Sequence, residues 1–246
     1  EGARPGKAVT AYQVRDDGGI SPPLATVAHE GVAAVLPVAT RSHAHLALAS
    51  PDNRHLLVAD LGIDRVMAYR LPPAGETLEL AAAPFGALPP GSGPRHLLFN
   101  ASGTIVYVIN ELGNTMAVFD YDADTAGLAL RQVISTLPEG YTATSYCAEL
   151  ALSPDGRFLY GTNRGHDSIV RFAVAPDGTL SLPDWTSTGG HWPRNLTFDP
   201  SGRFLLVANQ HGDNIVIFRQ DPVTGGLSQV DEVRHPTPMR LVFTRL

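Results

Sequence analysis

The chain has 246 residues, of which 43% are hydrophobic, and a formal net charge of −6. This negative charge, in a sequence without any basic run, argues against nucleic acid or an anionic membrane surface as a partner. The single cysteine, Cys147, excludes an internal disulfide, and no apolar segment approaches the roughly 20 residues that a membrane-spanning helix needs. We therefore expect a cytoplasmic protein that acts on a small molecule, without a membrane anchor.

Four internal repeats occupy most of the chain, and partial copies flank them. Residues 9–14 (VTAYQV) match the third strand of a repeat, and residues 238–243 (PMRLVF) match a first strand. The full repeats between them begin at His45, Arg95, Ala148 and Arg194. Their second strands end at polar residues spaced 50, 53 and 46 apart, which are Asp60, Asn110, Asn163 and Asn209. This period is typical of the blades of a β-propeller.

Each repeat has the same order of elements. A short apolar strand is followed by a turn, a second β-rich strand, a polar loop and a third alternating strand. The turns are rich in Pro, Asp, Asn and Gly and lie at residues 50–53, 100–103, 153–156 and 199–202. Glycines 127, 178 and 226 then introduce an outer fourth strand. We predict an all-β fold, a β-propeller of four-stranded blades, as a single domain over residues 1–246; a β-sandwich would not explain the repeats.

The sequence is expected to contain four full blades and one partial blade at each end. The two partial blades together lack a second strand. Because an unpaired strand edge invites aggregation, we expect that roughly two and a half blades precede this sequence, or that another polypeptide or a second copy completes the ring.

Candidate site residues stand where the innermost strands begin, because ligands bind where strand ends and the following loops converge. His43 and His45 are two residues apart on a predicted strand, and therefore on one face. They suit a general base or a hydrogen bond to substrate, a metal pair, or a merely structural role at a strand end. No third ligand accompanies them at a fixed spacing, so we predict no metal site and no cofactor.

Arg95 and Arg194 stand at equivalent positions of two repeats, and His96 follows the first of them. Lys7 is the only lysine, so anion recognition falls to arginine, whose planar fork matches a carboxylate or a phosphate. Salt bridges that cap loops would explain these arginines as well. We include Arg95, His96 and Arg194 among the candidate site residues.

The residue after the polar end of each second strand differs between repeats, as expected of a site: Leu61, Glu111, Arg164 and Gln210. Glu111 could act as a carboxylate base, orient an arginine, or form a surface salt bridge. Glu149 lies on an otherwise apolar strand, where a carboxylate needs a partner such as Arg95 or Arg164. Cys147 is interpreted as a small buried residue and not as a nucleophile.

With these residues in place, the sequence resembles the lactonase family of seven-bladed propellers. That family includes propeller-type bacterial 6-phosphogluconolactonases and fungal carboxymuconate lactonizing enzymes. The resemblance lies in HAHLALASPD from residue 43, DLGIDRV from 60, GSGPRHLLF from 91, YVINEL from 107, ISTLPEG from 134, AELALSPDGRFLYGTNRGHDSI from 148, GGHWPRNLTFDPSGRFLLVANQ from 189 and TPMRLVF from 237.

The resemblance implies seven blades and a site around one mouth of the channel, formed by His45, Arg95, Glu111 and Arg164. The expected reaction is hydrolysis of a sugar lactone, 6-phosphogluconolactone above others. Glu111 or His45 would activate water, an arginine would stabilise the oxyanion, and Arg164 and Arg194 would hold the anionic tail. His43, His96, Glu149 and Gln210 complete the expected substrate-binding set.

Two alternative functions remain compatible with the sequence. The first is carboxymuconate lactonization, which needs the same arginines for anion binding. The second is a propeller that binds partners on its rim without catalysis, for which Trp185 and Trp192 are candidate rim residues. A fragment that has no function of its own is also compatible with the partial blades.

Overall fold

The computed structural model describes residues 9–30, 42–71 and 78–244. All regular elements in this part of the chain are β-strands. They are β1 (Val9–Ala11), β2 (Ala25–Val27), β3 (Ala44–Ala49), β4 (His55–Asp60), β5 (Arg65–Arg70), β6 (Glu79–Ala87), β7 (Pro94–Phe99), β8 (Ile105–Asn110), β9 (Thr115–Asp122), β10 (Gly127–Ser135), β11 (Tyr146–Leu152), β12 (Phe158–Arg164), β13 (Ser168–Val174), β14 (Leu180–Ser187), β15 (Pro193–Phe198), β16 (Phe204–Asn209), β17 (Asn214–Gln220) and β18 (Leu227–Arg234).

The strands form one four-stranded sheet for each predicted repeat. The sheets are β3 to β6, β7 to β10, β11 to β14 and β15 to β18, each with its strands hydrogen-bonded in chain order. This is the topology of a propeller blade, which is an antiparallel sheet of four consecutive strands. The predicted fold class, all-β with four-stranded blades, is confirmed.

The turns between first and second strands also agree with the prediction. In each, a backbone N–H donates to the carbonyl three residues earlier, at 2.8 to 3.0 Å. The donor residue has a positive φ in every case, and it is Asn53, Gly103, Gly156 or Gly202. Asn and Gly are the residues that accept this conformation at low cost, which explains their recurrence there.

The chain divides into two compact units, which are described separately. The N-terminal unit comprises Glu1–Val106 and Phe119–Leu130, and the C-terminal unit comprises Tyr107–Val118 and Arg131–Leu246. The N-terminal core includes Val58, Met67 and Tyr69, against which Val9 and Val27 pack. The C-terminal core contains Phe158, Tyr160, Ile169, Leu196, Leu205, Val207, Val216 and Phe218.

A second connection recurs in the hairpins between second and third strands. Asp64, Asn114, Asp167 and Asp213 all have a positive φ of 49° to 54° there. Each of these side chains bonds to the backbone just before the next first strand: Asp64 to Gly91 and Gly93, Asn114 to Ser145, Asp167 to Trp192, and Asp213 to Thr237. We call this contact the hairpin staple. It fixes the entrances of β7, β11 and β15 and, at Asp213, holds the segment that follows β18.

Of the two partial repeats predicted at the ends of the sequence, only the N-terminal one forms a strand within the described residues. Residues 9–14 were expected to form a third strand, and β1 pairs antiparallel with β2, although it ends at Ala11 because the chain turns back at Arg15–Gly19. The expected first strand at residues 238–243 is wrong, since these residues form no ladder. The second strand that would pair with it is not among the described residues. Two side chains hold the segment instead, Asp213 at Thr237 and Asn195 at Leu241.

Candidate active site

Three of the predicted site residues near the entrances of first strands, His45, Glu149 and Arg194, stand in β-bulges. The register shifts by one residue between Ala44 and Leu46 in β3, between Cys147 and Leu150 in β11, and between Pro193 and Asn195 in β15. A bulge leaves one residue outside the ladder and turns its side chain in a new direction, and bulges are frequent beside active sites. His45 and Arg194 are the inserted residues of two of these bulges, and Glu149 lies in the third.

In the N-terminal unit, buried Asp60 fixes the entrance of β3. Its carboxylate accepts hydrogen bonds from His29 Nδ1 at 2.5 Å, Ser42 Oγ at 2.6 Å, and the backbone N–H groups of His43 and Gly62 at 2.7 and 3.0 Å. Burial alone would raise the pKa of Asp60, but the hydrogen bonds from His29, Ser42 and His43 outweigh it and hold the pKa below its ordinary value. Asp60 therefore has a structural role at this entrance.

Beyond Asp60, three imidazoles and a guanidinium lie together. The ring of His45 is 6.3 Å from that of His43 and 5.0 Å from that of His96, and Arg95 Nη1 lies 3.4 Å from His96 Nε2. Arg95 and His96 are buried. The alternation argument for His43 and His45 is wrong, because His43 precedes β3 and His45 is inserted in its bulge. The two rings are nevertheless neighbours.

In the C-terminal unit, Arg164 is the most firmly held of the predicted residues. It ends β12 opposite Tyr146 of β11, and only 6% of its side chain is exposed. Its Nε donates to the carbonyl of Tyr146 at 3.3 Å and its Nη2 to that of Cys147 at 2.8 Å. Nη2 also lies 3.0 Å from Glu111 Oε1. Nη1 makes no hydrogen bond to the described residues and is available to a ligand.

Glu111 is therefore the partner of an arginine. It follows β8, its carbonyl accepts a hydrogen bond from Cys147 N at 3.1 Å, and 19% of its side chain is exposed. A surface salt bridge, one of the three roles open from the sequence, does not describe a pair that is this buried. A role as carboxylate base is compatible with the geometry, because the side chain is partly accessible.

Two aromatic rings that were not among the predicted site residues cover the guanidinium of Arg164, and one of them, Trp192, was expected only as a rim residue. Its Cζ lies 5.9 Å from the ring centroid of Tyr146 and 5.5 Å from that of Trp192. Trp192 in turn stacks on His211, with ring centroids 5.2 Å apart and planes inclined by 13°. Tyr146 and Trp192 occupy equivalent positions in their repeats, one before a first strand or at its start. This shared position in the repeats is the sequence feature from which the two aromatic residues could have been predicted.

Glu149 finds its partner on the neighbouring blade. Its Oε2 accepts a hydrogen bond from Asn195 Nδ2 at 2.7 Å, and both residues are buried. Arg164, one of the two predicted partners, binds Glu111 instead. The pairing of Glu149 with Arg95 stays a prediction. Asn195 was missed because its partner lies 46 residues away in the sequence.

Arg194 and Gln210 contact each other weakly at the same end of their sheet. Arg194 Nη1 donates to Gln210 Oε1 at 3.4 Å, and both residues are partly exposed. Cys147 is fully buried, with its Sγ 3.1 Å from Thr136 Oγ1, which confirms the structural role predicted for it. The expectation that His45 and Arg95 share a site with Glu111 and Arg164 concerns residues of two units and stays a prediction.

A separate surface pocket of about 860 Å³ lies in the C-terminal unit. Asn114, Pro138, Tyr141 and Trp185 are among its lining residues, and none of the predicted site residues lines it. Among residues 9–30, 42–71 and 78–244, no three His, Cys, Asp or Glu side chains are grouped so as to hold a metal ion. The same residues include no helix that is long and apolar enough to cross a membrane.

The family model described as "Lactonase, 7-bladed beta-propeller" matches residues 5–243. The chain belongs to this family. Its four sheets are therefore blades of the lactonase propeller, and the resemblance inferred from the repeat motifs is confirmed.

Several relatives of this lactonase-family chain are similar over most of its length. The 6-phosphogluconolactonase of Bacillus subtilis is 34% identical over 237 residues, and an uncharacterized protein of Lactococcus lactis is 37% identical over 221. Among solved structures, the periplasmic gluconolactonase of Pseudomonas aeruginosa has a TM-score of 0.90 at 37% identity.

These alignments cover 96%, 89% and 96% of the chain, but only 66%, 63% and 66% of the respective relatives. The chain thus spans less than two thirds of the length of the relatives that it matches. The Pseudomonas protein is described as periplasmic, and the cytoplasmic location expected here stays a prediction.

Proposed function

We propose that this protein hydrolyses a sugar lactone that carries an anionic group, with 6-phosphogluconolactone as its substrate and 6-phosphogluconate as the product. Membership in the lactonase family supports the reaction class, and the name of the Bacillus relative supports the substrate. The alternatives of lactonization or of a rim that only binds partners have no observation of this kind in their favour.

The observation that carries the proposal is the state of Arg164. Its side chain is nine-tenths buried, it is oriented by two carbonyls and a carboxylate, and its Nη1 has no hydrogen-bond partner among the described residues. Burying a guanidinium is costly unless its donors are used. A preoriented pair of N–H donors in a partly dry setting suits an oxygen that becomes negative during a reaction.

The proposed reaction is addition of water to the lactone carbonyl. Glu111 takes a proton from water, and the water oxygen bonds to the carbonyl carbon. The carbonyl oxygen becomes an oxyanion, to which Arg164 Nη1 donates. The C=O bond then re-forms, the bond from the carbonyl carbon to the ring oxygen breaks, and protonated Glu111 returns its proton to the ring oxygen, which leaves as an alcohol. The carboxylic acid that remains ionises and releases one proton to solvent, which leaves a carboxylate. We assign Arg164 to the carbonyl and not to the anionic tail because it is paired with Glu111, the proposed base.

The anionic tail of the substrate falls to Arg194, with Gln210 beside it. Arg194 is partly exposed and its only hydrogen bond to described residues is the 3.4 Å contact with Gln210, so its fork is open to a phosphate. His45 remains the alternative base. It stands in a bulge among imidazoles, and a neutral imidazole accepts a proton near pH 7.

The test is hydrolysis of 6-phosphogluconolactone at constant pH, measured as proton release above the spontaneous rate. Glucono-lactone, which lacks the phosphate, is the matched substrate. We expect catalysis of the phosphorylated lactone and a lower kcat/KM for the neutral lactone. In the Arg194→Gln variant, this difference in kcat/KM between the two lactones should disappear. Absence of catalysis by folded protein with either lactone would contradict the proposal.

A further inference from the structure

The loop that leads into β15 is tied to the neighbouring blade by Asp167. Its Oδ1 accepts a hydrogen bond from the backbone N–H of Trp192 at 2.9 Å, and its Oδ2 lies 2.5 Å from His191 Nδ1. Its carbonyl accepts hydrogen bonds from both N and Oγ1 of Thr188 at 3.0 Å. One residue of the β12–β13 hairpin therefore holds both ends of the segment 188–192.

Trp192 adopts a backbone conformation that a tryptophan does not choose by itself. Its φ is +63°, in the left-handed region, which costs roughly 1–2 kcal/mol for a residue with a Cβ. The hydrogen bond to Asp167 and one from Gln210 N to the Trp192 carbonyl, at 3.0 Å, hold the peptide in this state. The conformation matters because it places the indole between the guanidinium of Arg164 and the ring of His211.

The other hairpin staples show what is particular to this one. Asp64 and Asp213 likewise accept hydrogen bonds from backbone N–H groups, whereas Asn114 donates one to the carbonyl of Ser145, so a staple at this place belongs to the repeat. At Asp167 it carries an additional contact to His191 and ends on a residue whose side chain covers an arginine. The packing is tight, because a Cβ at Gly190 would lie 2.4 Å from side-chain atoms of Asn209 and Asn214.

We infer that Asp167 is a positioning residue for the site, which acts through Trp192 on the orientation and hydration of Arg164. The indole excludes water from one face of the guanidinium and limits its rotation. Both effects strengthen the interaction of Nη1 with a negatively charged oxygen, since charges interact more strongly where water is excluded. The catalytic part of this inference rests on the proposed function, whereas the structural part does not.

Asp167→Gly is the informative variant, because glycine accepts the positive φ of this position while the hydrogen bonds of the side chain to Gly165, His191 and Trp192 are lost. The Trp185→Phe background leaves Trp192 as the sole tryptophan, so its fluorescence reports on this ring alone. We expect emission at longer wavelength and greater quenching by acrylamide. We also expect kcat for 6-phosphogluconolactone to fall roughly 5- to 30-fold, the range that corresponds to one cation–π contact between exposed and desolvated settings.

Asp213→Gly is the matched control, since it removes the same staple from a hairpin whose partner is Thr237. It should leave Trp192 emission and kcat unchanged. Asp167→Asn keeps an acceptor for Trp192 N and should therefore retain most of the parent emission and kcat. Asp167→Ser serves if the glycine variant does not fold, because its hydroxyl is too short to reach His191 and Trp192 together.

Unchanged emission from a folded Asp167→Gly protein would overturn the inference, as would an equal change in Asp213→Gly. If the parent protein hydrolyses no lactone, the proposed function fails. The fluorescence comparison then still decides whether Asp167 positions Trp192.

Discussion

Replacement of Arg164 by lysine isolates the role of its planar fork. Lysine keeps the positive charge beside Glu111, but a single ammonium cannot serve the carbonyls of Tyr146 and Cys147, the carboxylate and a ligand together. The lost ligand contact is one hydrogen bond to a charged group, about 2 kcal/mol. That corresponds to roughly a 30-fold decrease in kcat for the lactone.

The same substitution should also destabilise the fold. One of the hydrogen bonds to the two carbonyls is lost, at a cost of about 2 kcal/mol, and the melting temperature should fall by roughly 6 °C. Arg157→Lys is the matched control, because Arg157 lies at the other end of β12 and 54% of its side chain is exposed. Initial rates and thermal unfolding are measured for both variants. An Arg164→Lys protein with kcat within threefold of the parent value would refute the reasoning.

Three further predictions follow from named contacts. Glu111→Gln should lower kcat by roughly 10²- to 10⁴-fold if Glu111 is the base, whereas His45→Gln should have a kcat close to that of the parent protein. The amide oxygen of the glutamine can still bind Arg164. A small effect of Glu111→Gln on kcat would therefore mean that Glu111 only orients Arg164. Asp60→Asn removes the negative charge that accepts hydrogen bonds from His29 and from the backbone N–H groups of His43 and Gly62, and should cost about 2 kcal/mol at pH 7. Because the folded-state pKa of Asp60 is lowered from 3.8, its stabilisation is present above pH 3.8 and is lost as pH falls through the folded value. Parent and variant melting temperatures should therefore converge below pH 3.8, and a constant gap would contradict this. Gly190→Ala places a Cβ 2.4 Å from side-chain atoms of Asn209 and Asn214 and should lower the free energy of unfolding in urea by about 2 kcal/mol. Gly226→Ala, whose Cβ would lie 3.2 Å from Thr224 Oγ1, should lower it less. Equal values would show that the loop around Gly190 moves to accommodate the Cβ.

The blades were predictable because their signals are local. A turn such as Ser153–Gly156 is determined by four consecutive residues, one of which must accept a positive φ, and β17 alternates buried with more accessible residues, as expected of a strand. Four copies of such signals at a regular period leave little choice of topology. The contacts of the buried polar residues that end the second strands are less local: Asp60 accepts from the nearby N–H of Gly62, but Asn163 and Asn209 donate to carbonyls 27 and 21 residues away.

The contacts of the site were less predictable because they join residues that are distant in sequence. The period-2 argument placed His43 and His45 on one face, and it fails because a bulge interrupts β3. Glu149 has Asn195 as a partner, and Trp192 reaches Arg164, through the packing of successive blades. The sequence indicated Arg164 and Glu111, which the structure pairs, but it did not show that aromatic rings cover the arginine.

The oligomeric state is a separate expectation from the sequence. A protein completed by a second copy should elute from a size-exclusion column with a mass of twice 26.2 kDa, measured by light scattering. A monomeric mass at all accessible concentrations would exclude completion by another copy of this chain.

The most direct test of the account is a crystal structure of the protein with 6-phosphogluconate bound. The product carboxylate stands where the lactone carbonyl was, so we predict one of its oxygens within hydrogen-bond distance of Arg164 Nη1 and beside Glu111, with the phosphate at Arg194. A product molecule bound with neither acidic group at Arg164, or Arg164 Nη1 still without a ligand at saturating product, would contradict it.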